Sequence, residues 1–178
     1  MIIGAHESFL TGPAAWYVIQ TRCRHEDKVE LRLRQQSLEV FLPRHTIPSR
    51  RRDRKVFLEA PLFPGYLFIH TDLKPTACQE IIKLFGVVRI LGANGNFSPV
   101  PAETVEAIRT TVASGRPYQP WPFLKNGKRV RIIDGPLTGV TGTVVAPRHK
   151  KRKLVVSVEL FRRAVAVELA DDALEPLF

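Results

Sequence analysis

The chain is poor in the residues that carry covalent or metal chemistry. Two of its 178 residues are cysteine, Cys23 and Cys78, and they form neither a CxxC pair nor a metal-ligand spacing. Such usage predicts a reduced, cytoplasmic compartment. The five histidines, His6, His25, His45, His70 and His149, are scattered over turns and strands. No nucleophile has a matched base and no glycine-rich loop is built to cradle phosphate, so neither an enzyme nor a cofactor is expected. No run approaches the ~20 apolar residues that span a bilayer. The N-terminus lacks a basic start followed by an apolar stretch, which argues against secretion. Acidic residues are also short, 17 against 27 Lys and Arg, for a net charge of +10. Cut at residue 124, the chain carries 16 basic and 11 acidic residues before the cut and 11 and 6 after it, about +5 on each side. Both halves suit a polyanionic neighbour, nucleic acid or a ribonucleoprotein. A soluble basic protein without such a role is the plainer alternative, because charge alone reads no sequence.

What is present is apolar material, 44% of the chain, enough for a packed core. The stretch from Glu59 to Ile69 organises it. Pro61 and Pro64 bracket Leu62-Phe63 and stiffen the approach. Gly65 gives freedom where the strand begins. Beyond it Tyr66, Phe68 and His70 share one face, and Leu67 and Ile69 the other. Apolar residues on both faces predict a central strand covered on both sides.

Residues 1–14 lack periodicity and read as a loose tail. Trp16-Tyr17-Val18-Ile19-Gln20 is a strand by composition. The basic turn Thr21-Arg22-Cys23-Arg24-His25 leads into a helix with Glu26 and Asp27 in its first turn, where negative charge suits the dipole. Glu30 and Arg34 make an i,i+4 pair expected on the exposed side, with Val29 and Leu33 as the apolar stripe. Val40 to Pro43 is extended. Residues 49–55 hold five positive charges in seven, a solvated hairpin tip. Pro75 starts a second helix. Ala77, Cys78, Ile81, Ile82 and Phe85 are expected on its one buried face, with Gly86 closing it. Val87 to Leu91 reads as a strand and residues 92–96 as a turn. Pro101 opens a third helix with Val105, Ile108 and Val112 buried. Residues 114–124 include Pro117, Pro120, Pro122 and Gly115, which cannot continue a helix or a central strand, and are expected to link two domains.

The remainder is all strand. Residues 128–133 lead into a turn at 134–139 that needs glycine's positive φ. Residues 140–145 form the next strand, and 147–153 a second basic tip. Leu154, Val156, Val158 and Leu160 are expected to point inward, and Val155, Ser157 and Glu159 outward. If that alternation holds, Phe161 is an exposed aromatic, while a bulge at Arg162 would bury it. Five short strands in about 50 residues suggest a small barrel.

The string Pro61-Leu62-Phe63-Pro64-Gly65-Tyr66-Leu67-Phe68 resembles a signature of the NusG family of transcription elongation factors. Ile133-Asp134-Gly135-Pro136-Leu137-Thr138-Gly139-Val140-Thr141-Gly142 and the stretch Leu154 to Leu169 resemble the KOW module that closes those proteins. With the Trp16-Tyr17 start, the resemblance covers about residues 15–177. It implies an α+β fold: an N-terminal antiparallel sheet flanked by helices (15–113), a linker (114–124), and a small SH3-like all-β KOW barrel (125–178). The strings at Glu39 to Pro43 and Glu59 to Pro64 look like specialised paralogues of the RfaH and UpxY kind, and the barrel looks closer to general NusG. The β-branched, alternating barrel sequence favours strands over the helical hairpin that RfaH adopts.

The resemblance also implies partners. In the family the N-terminal domain grips the clamp helices of bacterial RNA polymerase, and position points to Gln20, Phe63, Tyr66 and Phe68 for that contact. Arg22, Arg24 and His25 match a basic turn that faces the non-template DNA strand in specialised relatives. Phe161 matches the position that docks ribosomal protein S10, on a face that also meets the termination factor Rho. A monomer without a membrane partner is expected. The rival reading, from another class, is a KOW-type RNA- or ribosome-binding protein that does not touch polymerase.

Overall fold

A computed structural model describes residues 13–48, 57–93, 96–123, 127–145, 152–169 and 174–177. Both basic tips lie largely outside these residues, as does most of the N-terminal tail. In chain order the elements begin with β1 (Ala15–Thr21), α1 (Glu26–Gln35), β2 (Glu39–Phe41), β3 (Arg44–Pro48), β4 (Phe57–Pro61), β5 (Tyr66–Thr71), α2 (Pro75–Lys83), β6 (Val87–Ile90), β7 (Gly92–Ala93) and β8 (Asn96–Phe97). There follow α3 (Ala102–Ala113), β9 (Tyr118–Trp121), β10 (Arg129–Ile132), β11 (Thr141–Val145), β12 (Lys153–Val158), β13 (Arg163–Glu168) and β14 (Leu174–Pro176). Among the described residues every strand pairing is antiparallel. The fold is α+β, with a helix-flanked four-stranded antiparallel sheet and a second, six-stranded antiparallel sheet.

The described residues fall into two units, one within 1–41 and 65–99, the other within 42–64 and 100–178. In the first, four strands lie in the order β2-β5-β1-β6. The expected central strand β5 is central, and Leu67, Phe68 and Ile69 are fully buried. Apolar residues on alternate sides of β1 and β5 require cover on both faces. Val29 and Leu33 of α1 and Ile81 of α2 are wholly buried. Leu31 stays 59% exposed, as its place off the helical stripe predicts. Glu30 departs from expectation. It is buried rather than exposed, because Arg34 donates to its Oε1 at 2.9 Å and to the Val40 carbonyl at 3.0 Å, closing over it.

The second helix corrects a larger expectation. Cys78 and Ile81 are buried, but α2 stops at Lys83, and Leu84 turns extended with ψ 127. Phe85 therefore leaves the helical register and stands 58% exposed, and Ile82 is 44% exposed.

In the second unit β3 and β4 form a hairpin, and six strands run in the order β14-β10-β11-β12-β13-β9. The glycine turn after β10 has Gly135 and Gly139 at φ +93 and +86, as expected. Helix α3 lies against β12 and buries Val105 and Ile108 as expected, together with Ala107 and Thr111, whereas Val112 is only half-buried. Part of the proline-rich segment expected as linker is strand β9. It occupies the sheet edge, where Pro120 has no ladder bond to break on its outer side. Strand β9 also changes the outward face of β12. Trp121 packs on Val155, Ala164 and Ala166, so Val155 is buried where alternation predicted solvent.

Candidate functional site

The residues proposed for polymerase contact in the first unit share one face of the sheet, because cross-strand partners project to the same side. Glu39, His70 and Trp16 form one row, Phe41, Phe68 and Val18 the next, and Tyr66, Gln20 and Arg89 the last. Phe41 and Phe68 stack with centroids 6.0 Å apart, and Trp16 meets His70 at 5.1 Å. Burial falls along the face. Phe68 and Val18 are fully buried, whereas Tyr66 and Gln20 are half-buried. Arg89 Nε donates to Gln20 Oε1 at 2.9 Å and fixes the amide. The accessible part of the predicted surface is thus Tyr66 and Gln20, and Phe68 is core beneath it.

A buried carboxylate holds the end of that row. Glu26 is 4% exposed, and its Oε1 accepts the Gly65 N–H at 2.7 Å. The Thr21 N–H donates to the Gly65 carbonyl at 2.9 Å. Gly65 has φ +84, a conformation that disfavours side chains. The glycine before Tyr66 is thereby tied to both β1 and α1, and the aromatic side chain starts from a fixed point.

The basic turn is built against the loop after α2. The Arg22 N–H donates to the Gly86 carbonyl at 2.8 Å, and Arg32 Nη1 donates to the Phe85 carbonyl at 3.3 Å. The Arg22 guanidinium lies 5.4 Å from the Phe85 ring centroid, and the His25 ring meets Phe85 at 5.4 Å in a T-shaped arrangement. Gly86, at φ +105, permits this. A Cβ there would fall 2.9 Å from Val29 Cγ2 and 3.1 Å from His25 Cβ. Arg22, Cys23 and Arg24 are exposed, with Arg24 itself at φ +60. The structure brings Arg22 and His25 together around Phe85, a residue that helical periodicity had placed in the core.

Phe63 and Phe161 belong to the second unit. Phe63 is 1% exposed. Strand β12 ends at Val158, and Glu159–Phe161 form a single 3-10 turn closed by Arg162 in the left-handed region at φ 52. The simple alternation therefore does not reach Phe161, which is half-buried with its ring edge-on to Phe63 at 5.5 Å. In the same unit the Tyr118 hydroxyl donates to the Arg44 carbonyl at 2.7 Å. Burial, with Glu59 second, pushes the Tyr118 phenol up. Among the described residues no three His, Cys, Asp or Glu side chains gather as metal ligands.

The chain is similar to known proteins. The profile of the family described as "Transcription termination factor nusG" matches residues 14–109, more than half of the chain. The Transcription termination/antitermination protein NusG of Borreliella burgdorferi is 28% identical over 174 residues, covering 87% of this chain and 94% of the relative. The protein of the same name from Lactococcus lactis is 30% identical over 165 residues, covering 86% and 88%. A solved structure titled "Domain interaction in Thermotoga maritima NusG" aligns with a TM-score of 0.53 at 20% identity, over 88% of this chain and 94% of that one, a likeness of fold.

Proposed function

Since the chain belongs to the NusG family, we propose that it is an elongation and antitermination factor that binds the clamp helices of bacterial RNA polymerase and favours processive synthesis. A role in transcription comes with the family, whose curated members carry termination and antitermination in their names. The observation that carries the finer reading is the row Tyr66-Gln20-Arg89. It presents a half-buried aromatic beside a fixed amide, backed by fully buried Phe68. Such a row combines apolar area with orientation, which suits docking on a helical partner. The turn at Arg22, Arg24 and His25 would run along the non-template DNA strand. The KOW part would reach ribosomal protein S10 or Rho through Phe161. The action is cytoplasmic and non-enzymatic in this reading, and no helix among the described residues is long and apolar enough to cross a membrane.

Binding to bacterial core RNA polymerase tests the proposal. The full chain is expected to bind, and Tyr66→Ala to weaken binding about tenfold with its circular dichroism unchanged, as hot-spot aromatics do. Phe68→Ala is unsuited to this purpose, because a fully buried ring supports the sheet itself. Failure of the chain to bind polymerase, with RNA or ribosome affinity intact, would replace this reading with the KOW-type RNA binder.

A further inference from the structure

We propose that the outer edge of β13 is a strand-addition site for an extended, aromatic-bearing segment of a partner protein, and that β9 is the chain's own removable occupant of it. The inference deepens the docking role proposed for the KOW part and rests on that reading for the partner, since β13 starts two residues after Phe161.

The backbone register identifies the edge. The Glu168 N–H donates to the Pro117 carbonyl at 3.1 Å, and the pairs run from Trp121↔Ala164 to Tyr118↔Val167. Ladder groups alternate in direction along an antiparallel strand. Those of Ala164, Ala166 and Glu168 therefore face β9, and those of Val165 and Val167 face β12. The covered strand is core, with Ala164, Val165, Ala166 and Val167 at most 1% exposed. The segment lying across it is not. Gln119 and Pro120 are exposed, and Tyr118 and Trp121 are half-buried. That segment is also built of poor strand formers. Pro117 has no N–H to return to Glu168, whose carbonyl accepts from Arg116 Nη1 at 3.4 Å instead. Pro120 turns its nitrogen to the outer side, where it offers a further strand no donor. A partner strand therefore reaches this edge by replacing β9, not by extending it.

Side chains state what the replacement must carry. Ala164 and Ala166 are small, and with Val155 they leave a shallow slot that the Trp121 ring fills. An aromatic side chain at that register anchors an incoming strand, while its backbone takes over the bonds to Ala164 and Ala166. Charge sets the flanks. Lys153 Nζ lies 4.8 Å from the Trp121 ring centroid, and the Arg162 guanidinium lies 5.6 Å from that of Phe123. Arg162 and Arg163 are exposed. Carboxylates on either side of the aromatic would meet these cations. The chain's own segment supplies none, since residues 114–123 include Arg116 and no acid. The occupant that fits best is thus an extended segment with one aromatic anchor and acidic flanks.

The test begins with hydrogen exchange of the full chain, read amide by amide by NMR. Ala164 and Ala166 are expected to exchange at least about tenfold faster than Val165 and Val167, because release of β9 frees only the first pair. Equal rates would mean that β9 opens only with the whole sheet, and would overturn the proposal. The second arm adds a short synthetic peptide, Tyr-Gln-Val-Trp between pairs of glutamates, to the full-length Trp121→Ala chain. The peptide should slow exchange at Ala164 and Ala166. It should bind the unaltered chain about tenfold more weakly, and lose about tenfold in affinity when its own tryptophan is alanine. No slowing at millimolar peptide overturns the proposal, and so does equal affinity of the tryptophan and alanine peptides. A Trp121→Ala chain that dimerises without taking the peptide assigns the edge to a second copy and overturns it too. Ribosomal protein S10, titrated separately, tests the docking role of the KOW part. Peptide capture without S10 binding removes that role for S10 and leaves the edge site, and S10 binding without peptide capture does the reverse.

Discussion

The rings of Phe63 and Phe161 meet edge to face with centroids 5.5 Å apart. The proposed function gives these two residues different partners, polymerase for Phe63 and the ribosome or Rho for Phe161. Here each covers the other, within one unit of the structure. A side chain that is 1% exposed presents nothing to a partner. If Phe63 contacts polymerase as proposed, the Phe161 ring has to move aside.

The first prediction follows. An aromatic pair of this geometry contributes about 0.5–1.5 kcal/mol beyond simple burial. Phe161→Ala removes that competitor, and affinity for core RNA polymerase should rise about twofold to tenfold. Titration of labelled protein against polymerase checks it. An unchanged affinity would mean that Phe63 is not a contact residue and that its role is to pack the second unit.

Glu26 supplies the second. Its carboxylate satisfies the Gly65 N–H from a site with almost no solvent. Glu26→Ala leaves that donor without its partner, which should lower stability by about 1–3 kcal/mol in urea unfolding. Glu26→Gln keeps a carbonyl oxygen at the same position and should cost less. Both changes should also reduce polymerase affinity if Tyr66 depends on the fixed glycine.

The third concerns Gly86. At φ +105 with a Cβ position 2.9 Å from Val29, alanine is strained and crowded at once. Gly86→Ala should lower the Tm and broaden the Phe85 and His25 ring resonances together, because the carbonyl that anchors Arg22 must shift. Unchanged spectra and an unchanged Tm would show that the loop repacks at no cost.

Much of this arrangement is legible in the sequence where one physical rule acts alone. The alternation from Tyr66 to His70 identifies a central strand, and the spacing of Val29 and Leu33 identifies the buried side of α1. Legibility ends where a second element intervenes. Phe85 fits a helical stripe on paper, but the helix stops at Lys83 and the register is lost. A glycine right after an aromatic was the available signal, since it marks where a chain turns outward. Glu30 is buried because Arg34 also reaches the Val40 carbonyl, a contact six residues away that i,i+4 spacing does not contain. Val155 is covered by Trp121 from a segment rich in proline. Phe161 sits in a 3-10 turn that interrupts the parity of β12.

The two cysteines yield a fourth prediction. Cys23 is exposed and Cys78 buried. Burial pushes the Cys78 thiol up, so the folded chain holds that proton more tightly than the unfolded chain does. The associated stability is fully present below the ordinary thiol value and is lost as pH rises through the raised one. Cys23 should react with a disulfide reagent at neutral pH while Cys78 stays protected until the chain unfolds. Cys78→Ala should flatten the loss of stability on the alkaline side. Equal labelling rates for the two thiols in the folded protein would contradict the buried placement.

The fifth prediction tests the edge strand. Residues 118–121 pair with β13 from Trp121↔Ala164 to Tyr118↔Val167. Trp121 also packs on Val155, and Lys153 Nζ lies 4.8 Å from its ring. A fragment of residues 114–178 retains this strand, and a fragment of residues 125–178 lacks it. Loss of β9 uncovers Val155, Ala164 and Ala166, so the shorter fragment should be less stable by about 2 kcal/mol. Both should show strand and no α-helix by circular dichroism, as the β-branched pattern requires. Urea unfolding of the pair is decisive. Equal midpoints would make β9 a passive tether. A lower midpoint for the shorter fragment, reproduced in the longer one by Trp121→Ala, would make the proline-rich segment part of the sheet's own stability.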